Sequence, residues 1–243
     1  MANFKKAWNV NKELPAYFIY DNEPEYSNAN FAEVWKGTKE FEGKYQNMPG
    51  DSANYCPAKG KPGSQLIGTK YGISAIGMAQ YLKRCPTVAE MQNLSEPKAM
   101  EVAKKQYWDQ VQADKIKSQA LGHLIFDITY GSSYGPLHVR QAINAVGNEL
   151  IKEYKSFTLS NSEIDTINKL PQKPLFNEIV KRRLQFYKGL PYEKGLTNRT
   201  TKLANMYIGN IESVAKFTNK NLLILLGISA VIGTGLYLII RKK

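Results

Sequence analysis

Apolar residues recur along most of this chain at the three- and four-residue spacing of helices that bury one face. In FAEVWKGTKEFEGKY, residues 31–45, Phe31, Val34, Trp35 and Phe41 fall where one helix could bury them, with Glu42 near its carboxyl end. Ser74 stands before AIGMAQYL, Thr87 and Glu90 have capping-box spacing, and Ser95-Glu96-Pro97 opens a helix whose Ala99, Met100, Ala103 and Tyr107 share a face. Leu121, Leu124, Ile125 and Ile128 keep the helical period, residues 137–146 predict another helix, and Ser160 with Glu163 caps a further one. Strand alternation is scarce, and only QLIGTKYGIS, residues 65–74, predicts a short β element. Residues 1–30, with Pro15, Pro24 and several Asn, predict an irregular arm; residues 48–64, rich in Pro, Gly, Asn and Lys, predict a long exposed loop. No internal repeat is found.

The pattern changes at the carboxyl end. Residues 222–240, from Leu222 through Ile240, read LLILLGISAVIGTGLYLII without a charge. At about 1.5 Å per residue such a helix spans roughly 28 Å, the hydrocarbon thickness of a bilayer, and it lacks the polar stripe of a core helix. A single transmembrane anchor through a lipid bilayer is therefore expected. Arg241, Lys242 and Lys243 follow it and Lys216 and Lys220 precede it, a weak lean toward a cytoplasmic carboxyl terminus that leaves orientation open. The first 25 residues hold no apolar run of signal-peptide length.

Composition narrows the function classes. The 243 residues are 43% apolar, as in globular proteins, and 33 Lys and Arg against 21 Asp and Glu give a net charge of +12. Such a charge favours polyanions, but the basic residues are scattered and no helix-turn-helix, zinc-finger or single-strand-binding signature is present, so a nucleic-acid partner is not expected. Cys56 and Cys85 lack metal or redox spacing and leave one disulfide or none. His123 and His138 are the only histidines, too few for a zinc amidase, and no metal or organic cofactor is expected. A cysteine peptidase built from these four residues is disfavoured, because neither Cys has the helix-start context of an activated thiolate.

Glu42 is the acid whose neighbours suggest chemistry. Glycosidases pair a carboxylic acid, kept protonated by partial burial among apolar groups, with a second group supporting water or the oxocarbenium ion. Glu42 has Phe41 and Tyr45 beside it and Gly43 to admit a substrate. FEGKY followed by GTKYGIS, residues 68–74, resembles the Glu-Gly-Gly-Tyr and Gly-Gly-x-Thr-x-Tyr-Gly-Ile-Thr signatures of the bacterial and phage N-acetylmuramidases of glycoside hydrolase family 108. YWDQVQADKIKSQALGHLIFDITYGS, residues 107–132, is similar to that family's Tyr-Trp-Asp and Leu-Phe-Asp helices, and Gln141 in VRQAINAVG matches its next helix. RRLQFYKGLPYEKGLTNRTTKL is similar to the peptidoglycan-binding segment that follows in these proteins. The chain departs from the pattern at Lys44, Leu66-Ile67, Tyr130-Gly131-Ser132 and Gly195-Leu196. An inward Lys44 would lower the pKa of a neighbouring acid.

The resemblance implies Glu42 as general acid and Thr69 near the attacking water. Asp51, nine residues after Glu42, is a candidate second carboxylate. Tyr45, Tyr71, Tyr107, Trp108 and Tyr130 are candidates for stacking on sugars, and Asp127 for substrate binding or a buried hydrogen bond. The expected fold is mainly α, a lysozyme-like helical domain with a small β element and a carboxyl-terminal transmembrane helix. Its expected parts are an arm at 1–30, a muramidase domain at 31–147, a peptidoglycan-binding helical extension at 148–212, and a linker with the anchor at 213–243. The expected activity is cleavage of the MurNAc-β-1,4-GlcNAc bond of peptidoglycan for host-wall lysis or phage entry. The alternative is a catalytically inactive, wall-binding or structural membrane protein of a phage virion. The expected place is the host inner membrane facing the wall or the internal membrane of a lipid-containing virion, with virion or lysis proteins as partners.

Overall fold

The helix starts anticipated from hydroxyl caps are made in the structure, a computed structural model that describes residues 28–39, 43–147, 150–190 and 192–208. Ser74 accepts a hydrogen bond from Gly77 N at 3.1 Å and opens α2, Ala75–Leu82. Thr87 and Glu90 complete a capping box on α3, Val88–Gln92, and Ser95 accepts from Lys98 N to start α4, Glu96–Ala103. Ser118 caps α5, Gln119–Gly131, and Ser160 with Glu163 closes a second capping box on α7, Asn161–Lys169. The other helices among the described residues are α1, Phe31–Lys39; α6, Gly135–Val146; α8, Gln172–Tyr187; and α9, Glu193–Ile208.

α5 is the central element. Every residue from Ala120 to Tyr130 is buried, as expected of a helix packed on all sides, and α1, α6 and α8 all lie against it. α6 starts so close to α5 that a Cβ on Gly135 would stand 2.7 Å from the Ile128 carbonyl, so only glycine permits this approach. The expected helix through Tyr107 does not run straight. α4 gives way to a π-helical turn, Lys104–Trp108, whose extra residue brings Tyr107 and Trp108 into the core together. Phe31 packs on Trp108 and Phe126 with ring centroids 5.2 and 5.6 Å apart.

The stretch anticipated as a long exposed loop, residues 48–64, contains a 3-10 turn at Ser52–Asn54 and strand β1, Tyr55–Cys56. β1 pairs antiparallel with β2, Gln65–Leu66, and β3, Thr69–Lys70, pairs antiparallel with β4, Ile73–Ser74. Of the two possibilities left open for the cysteines, the structure has the disulfide: Cys56 of β1 is bonded to Cys85, beyond α2.

After α6 the chain crosses an irregular stretch and adds α7, α8 and α9, with α8 packed along α6 and against α5. Arg140 of α6, fully buried, ties this extension down. It donates to both oxygens of Glu163 at 2.5 and 3.2 Å and to the carbonyls of Tyr154 and Thr158. Burial works to raise the Glu163 pKa, but Arg140 and the Ser160 cap outweigh it and hold the carboxyl below its ordinary value.

The chain divides into a unit of Tyr26–Ala204 and a second unit of Met1–Glu25 with Asn205–Lys243, of which only residues 205–208 are described. Among the described residues no helix is long and apolar enough to cross a membrane. The anchor expected at 222–240 lies outside them, as does nearly all of the amino-terminal arm.

Candidate active site

Glu42 and Phe41 lie outside the described residues, but the chain on the carboxyl side of Glu42 is fixed in detail. Gln46 and Thr69 exchange backbone hydrogen bonds at 2.9 and 2.8 Å, and Tyr71 N donates to Gly43 O at 3.2 Å. Residues 43–46 therefore run as an added edge along β3. Gly68, with φ of +103°, makes this fit possible: a Cβ there would stand 2.6 Å from Gln46 O and 2.7 Å from the Tyr45 ring. The Tyr45 hydroxyl donates to Ile67 O at 2.9 Å, locking the ring over the glycine. Lys44 is exposed.

Asn54 is the centre of this β corner, and it is completely buried. Its carbonyl accepts from Ile67 N and Gly68 N at 2.8 and 3.0 Å, and its side-chain Nδ2 donates to Gln46 Oε1 and Met48 O, each at 3.0 Å. Its Oδ1 accepts from the Thr69 hydroxyl at 2.6 Å. Thr69 has spent its one proton on Asn54, so toward the half-open side its oxygen can act only as an acceptor. Neither Asn54 nor Gln46 was singled out from the sequence. Lone polar residues in a loop carry no periodic or motif signal, and their role exists only once the loop is folded.

Asp51 is exposed, and its carboxylate accepts from Ala53 N at 2.9 Å, capping the 3-10 turn that delivers Asn54. Its side chain does not join Thr69. It serves the corner as a cap. Tyr71 and Tyr45 are half-buried at the corner, where part of each ring reaches solvent. Trp108 has no exposed surface and donates its Nε1 proton to Asp114 at 2.6 Å. Tyr107 and Tyr130 are 9% and 8% exposed and meet edge to face at 4.8 Å. These three rings belong to the core, so a sugar face does not have them to stack on.

Behind the corner stands one edge of α5. The Tyr130 hydroxyl donates to Tyr71 O at 2.6 Å, and His123 Nε2 lies 3.3 Å from the Thr38 hydroxyl of α1. His123 has a pKa lowered to about 4, chiefly by burial, with Asp127 pulling it up and Arg199 pushing it down. Asp127, 3% exposed, accepts from Arg199 of α9 through Nη2 at 2.7 Å and Nε at 3.1 and 3.2 Å. Of its two expected roles Asp127 thus fills the buried, hydrogen-bonded one. Arg199 itself gave no signal in the sequence. Among the described residues no group of three or more His, Cys, Asp or Glu side chains is placed to hold a metal ion.

Residues 36–132 match the family model Glycosyl hydrolase 108. Among solved structures the fold is similar to that of SagA from Brucella abortus, with a TM-score of 0.56 and 22% identity over 73% of this chain and 92% of that one. That likeness shows a shared fold. No curated protein matches the sequence. With the position of Glu42, the Asn54–Thr69 corner and Asp127 all inside the matched residues, the chain is a glycosidase of the N-acetylmuramidase type, its residues 36–132 being similar to glycosyl hydrolase 108.

Proposed function

We propose that the chain hydrolyses the β-1,4 bond between N-acetylmuramic acid and N-acetylglucosamine in peptidoglycan, with Glu42 as general acid and Thr69 as the residue that orients water. The observation carrying this reading is the direction of the Thr69 hydrogen bond. With its hydroxyl proton directed to Asn54 Oδ1, the Thr69 oxygen accepts a hydrogen bond from a water and turns a lone pair of that water toward a sugar carbon. Glu42 donates its proton to the glycosidic oxygen as the bond to C1 breaks, the water adds at C1, its second proton passes to solvent, and Glu42 is reprotonated. Asp51 is left out of this scheme because its carboxylate caps the 3-10 turn. Tyr45 and Tyr71 are the aromatics with ring surface to offer a sugar. The exposure of Lys44 favours activity over the inactive alternative, since an ammonium in water has little hold on a neighbouring acid.

In this reading the extension at 148–212 helps hold the wall, and residues 222–240 tether the enzyme to a bilayer, in a host inner membrane or a virion membrane. A zymogram on bacterial sacculi tests the activity. The wild-type chain clears the gel and Glu42→Gln does not, and released muropeptides end in reducing N-acetylmuramic acid rather than an anhydro-sugar. Clearing by Glu42→Gln at the wild-type rate would remove Glu42 from this role.

A further inference from the structure

One edge of α5 gathers three distant parts of the chain. His123 meets Thr38 near the end of α1, Tyr130 holds the β3–β4 turn through Tyr71, and between them Asp127 takes the guanidinium of Arg199 from α9. Thr38 precedes Glu42 in sequence and Gly43, bonded to Tyr71 N, follows it, so both flanks of the candidate acid are tied to this edge. Arg199 lies far beyond residue 132, where the family match ends. A buried carboxylate is strongly disfavoured unless paired, and here the glycosidase region's own carboxylate is paired by the extension.

We propose that Arg199 is a positioning residue of the glycosidase: it neutralises Asp127 and so fixes the charge and orientation of the His123–Asp127 edge against the end of α1. The extension is then part of the catalytic unit as well as a wall-binding segment. This rests on the function proposed above. Among the described residues the charged groups acting on His123 are Asp127, one turn away on α5, and Arg199 from α9, while α1 offers it the neutral Thr38 hydroxyl. Asp127 draws a proton toward the imidazole and Arg199 opposes it. Without Arg199, the pull of Asp127 on the imidazole is unopposed, and His123 holds a proton more readily. A cationic His123 beside the end of α1 would favour the ionised form of a carboxylic acid that follows this helix, and a general acid without its proton is idle.

Arg199, whose side chain keeps 19% of its surface exposed, also lines an open groove of about 510 Å³ with Tyr192, Gly195, Leu196, Asn198 and Lys202. The test uses the full chain carrying Arg199→Ala, with Arg199→Lys as the milder variant should the first fail to fold. On soluble peptidoglycan fragments, kcat is expected to fall at least about tenfold near neutral pH while KM stays within about twofold. The alkaline limb of the kcat profile is expected to move to lower pH, and free guanidinium at millimolar level restores part of kcat in Arg199→Ala but not in wild type. NMR titration of the His123 ring is expected to show a higher pKa in the variant. An unchanged kcat, pH limb and His123 titration would overturn the proposal. The titration needs no turnover: a wild-type chain without glycosidase activity would refute the function, and the His123 ring would still decide the role of Arg199.

Discussion

Thr69 and Asn54 share a proton, and which partner donates it decides what Thr69 can offer a water molecule. Asn54 Oδ1 is an acceptor only, so the Thr69 hydroxyl must be the donor, and its oxygen is left to accept. Thr69→Val keeps the shape and removes that oxygen. Its kcat is expected to fall about 10–100-fold with little change in KM, the value of one hydrogen bond realised in the transition state, while Thr69→Ser keeps most of the rate. Asn54→Ala differs in kind: it removes the partner of the half-buried Thr69 and Gln46 side chains, so both stability and rate drop, by at most about 1–3 kcal/mol for each orphaned group. Steady-state kinetics with thermal melts separate the two, and a Thr69→Val enzyme as fast as wild type would rule Thr69 out as the water holder. Thr69 stood out in the sequence because GTKYGIS resembles a family signature. Asn54 did not, because its importance lies in six partners, most of them brought together only by the fold.

Capped helices were the most legible elements. Ser74, Thr87 with Glu90, Ser95 and Ser160 with Glu163 each mark a start by a local hydrogen bond that needs no tertiary partner. The β element expected at residues 65–74 is made as β2, β3 and β4, whereas the π-helical turn and strand β1 were not legible. The turn is an extra residue dictated by where Tyr107 and Trp108 pack, and β1, two residues in a loop rich in Pro and Gly, is too short to show an alternating pattern. The helices also carry a pH dependence. α5 and α6 bury His123 and His138, 2% and 5% exposed, and each has a pKa lowered to about 4, first by burial. Arg183 and Arg182 push His138 further in the same direction. Since the unfolded value is about 6.5, both rings favour the native state when neutral, and that stability is lost as pH falls from about 6.5 toward 4. For His123 alone the loss amounts to about 3 kcal/mol by pH 4. Urea midpoints are therefore expected to drop across this window. His138→Gln should flatten the decline, and a midpoint that stays level from pH 7 to 4.5 would contradict the burial of both rings as neutral groups.

At the scale of the whole molecule, the proposed function has two forces holding the protein in place, and only one of them responds to salt. The net charge of +12 draws the chain to an anionic wall, and Lys44, Lys59 and Lys61 place part of that charge on exposed loops around the β corner. Attraction of this kind fades as the Debye length shrinks from about 8 Å in physiological salt to about 3 Å at 1 M. In the function proposed above, residues 222–240 would act by a different force, since removing nineteen uncharged residues from a bilayer would expose their apolar surface to water whatever the salt. Full-length protein mixed with sacculi should therefore release as salt rises toward about 1 M, and Lys44→Glu with Lys59→Glu and Lys61→Glu should bind less tightly and respond less steeply. The same chain recovered from cells should stay with the membrane fraction through that salt and through alkaline carbonate. Sacculus binding indifferent to salt would remove the electrostatic contribution. Release from membranes by salt alone would remove the anchor and leave charge as the force that holds the enzyme to its substrate.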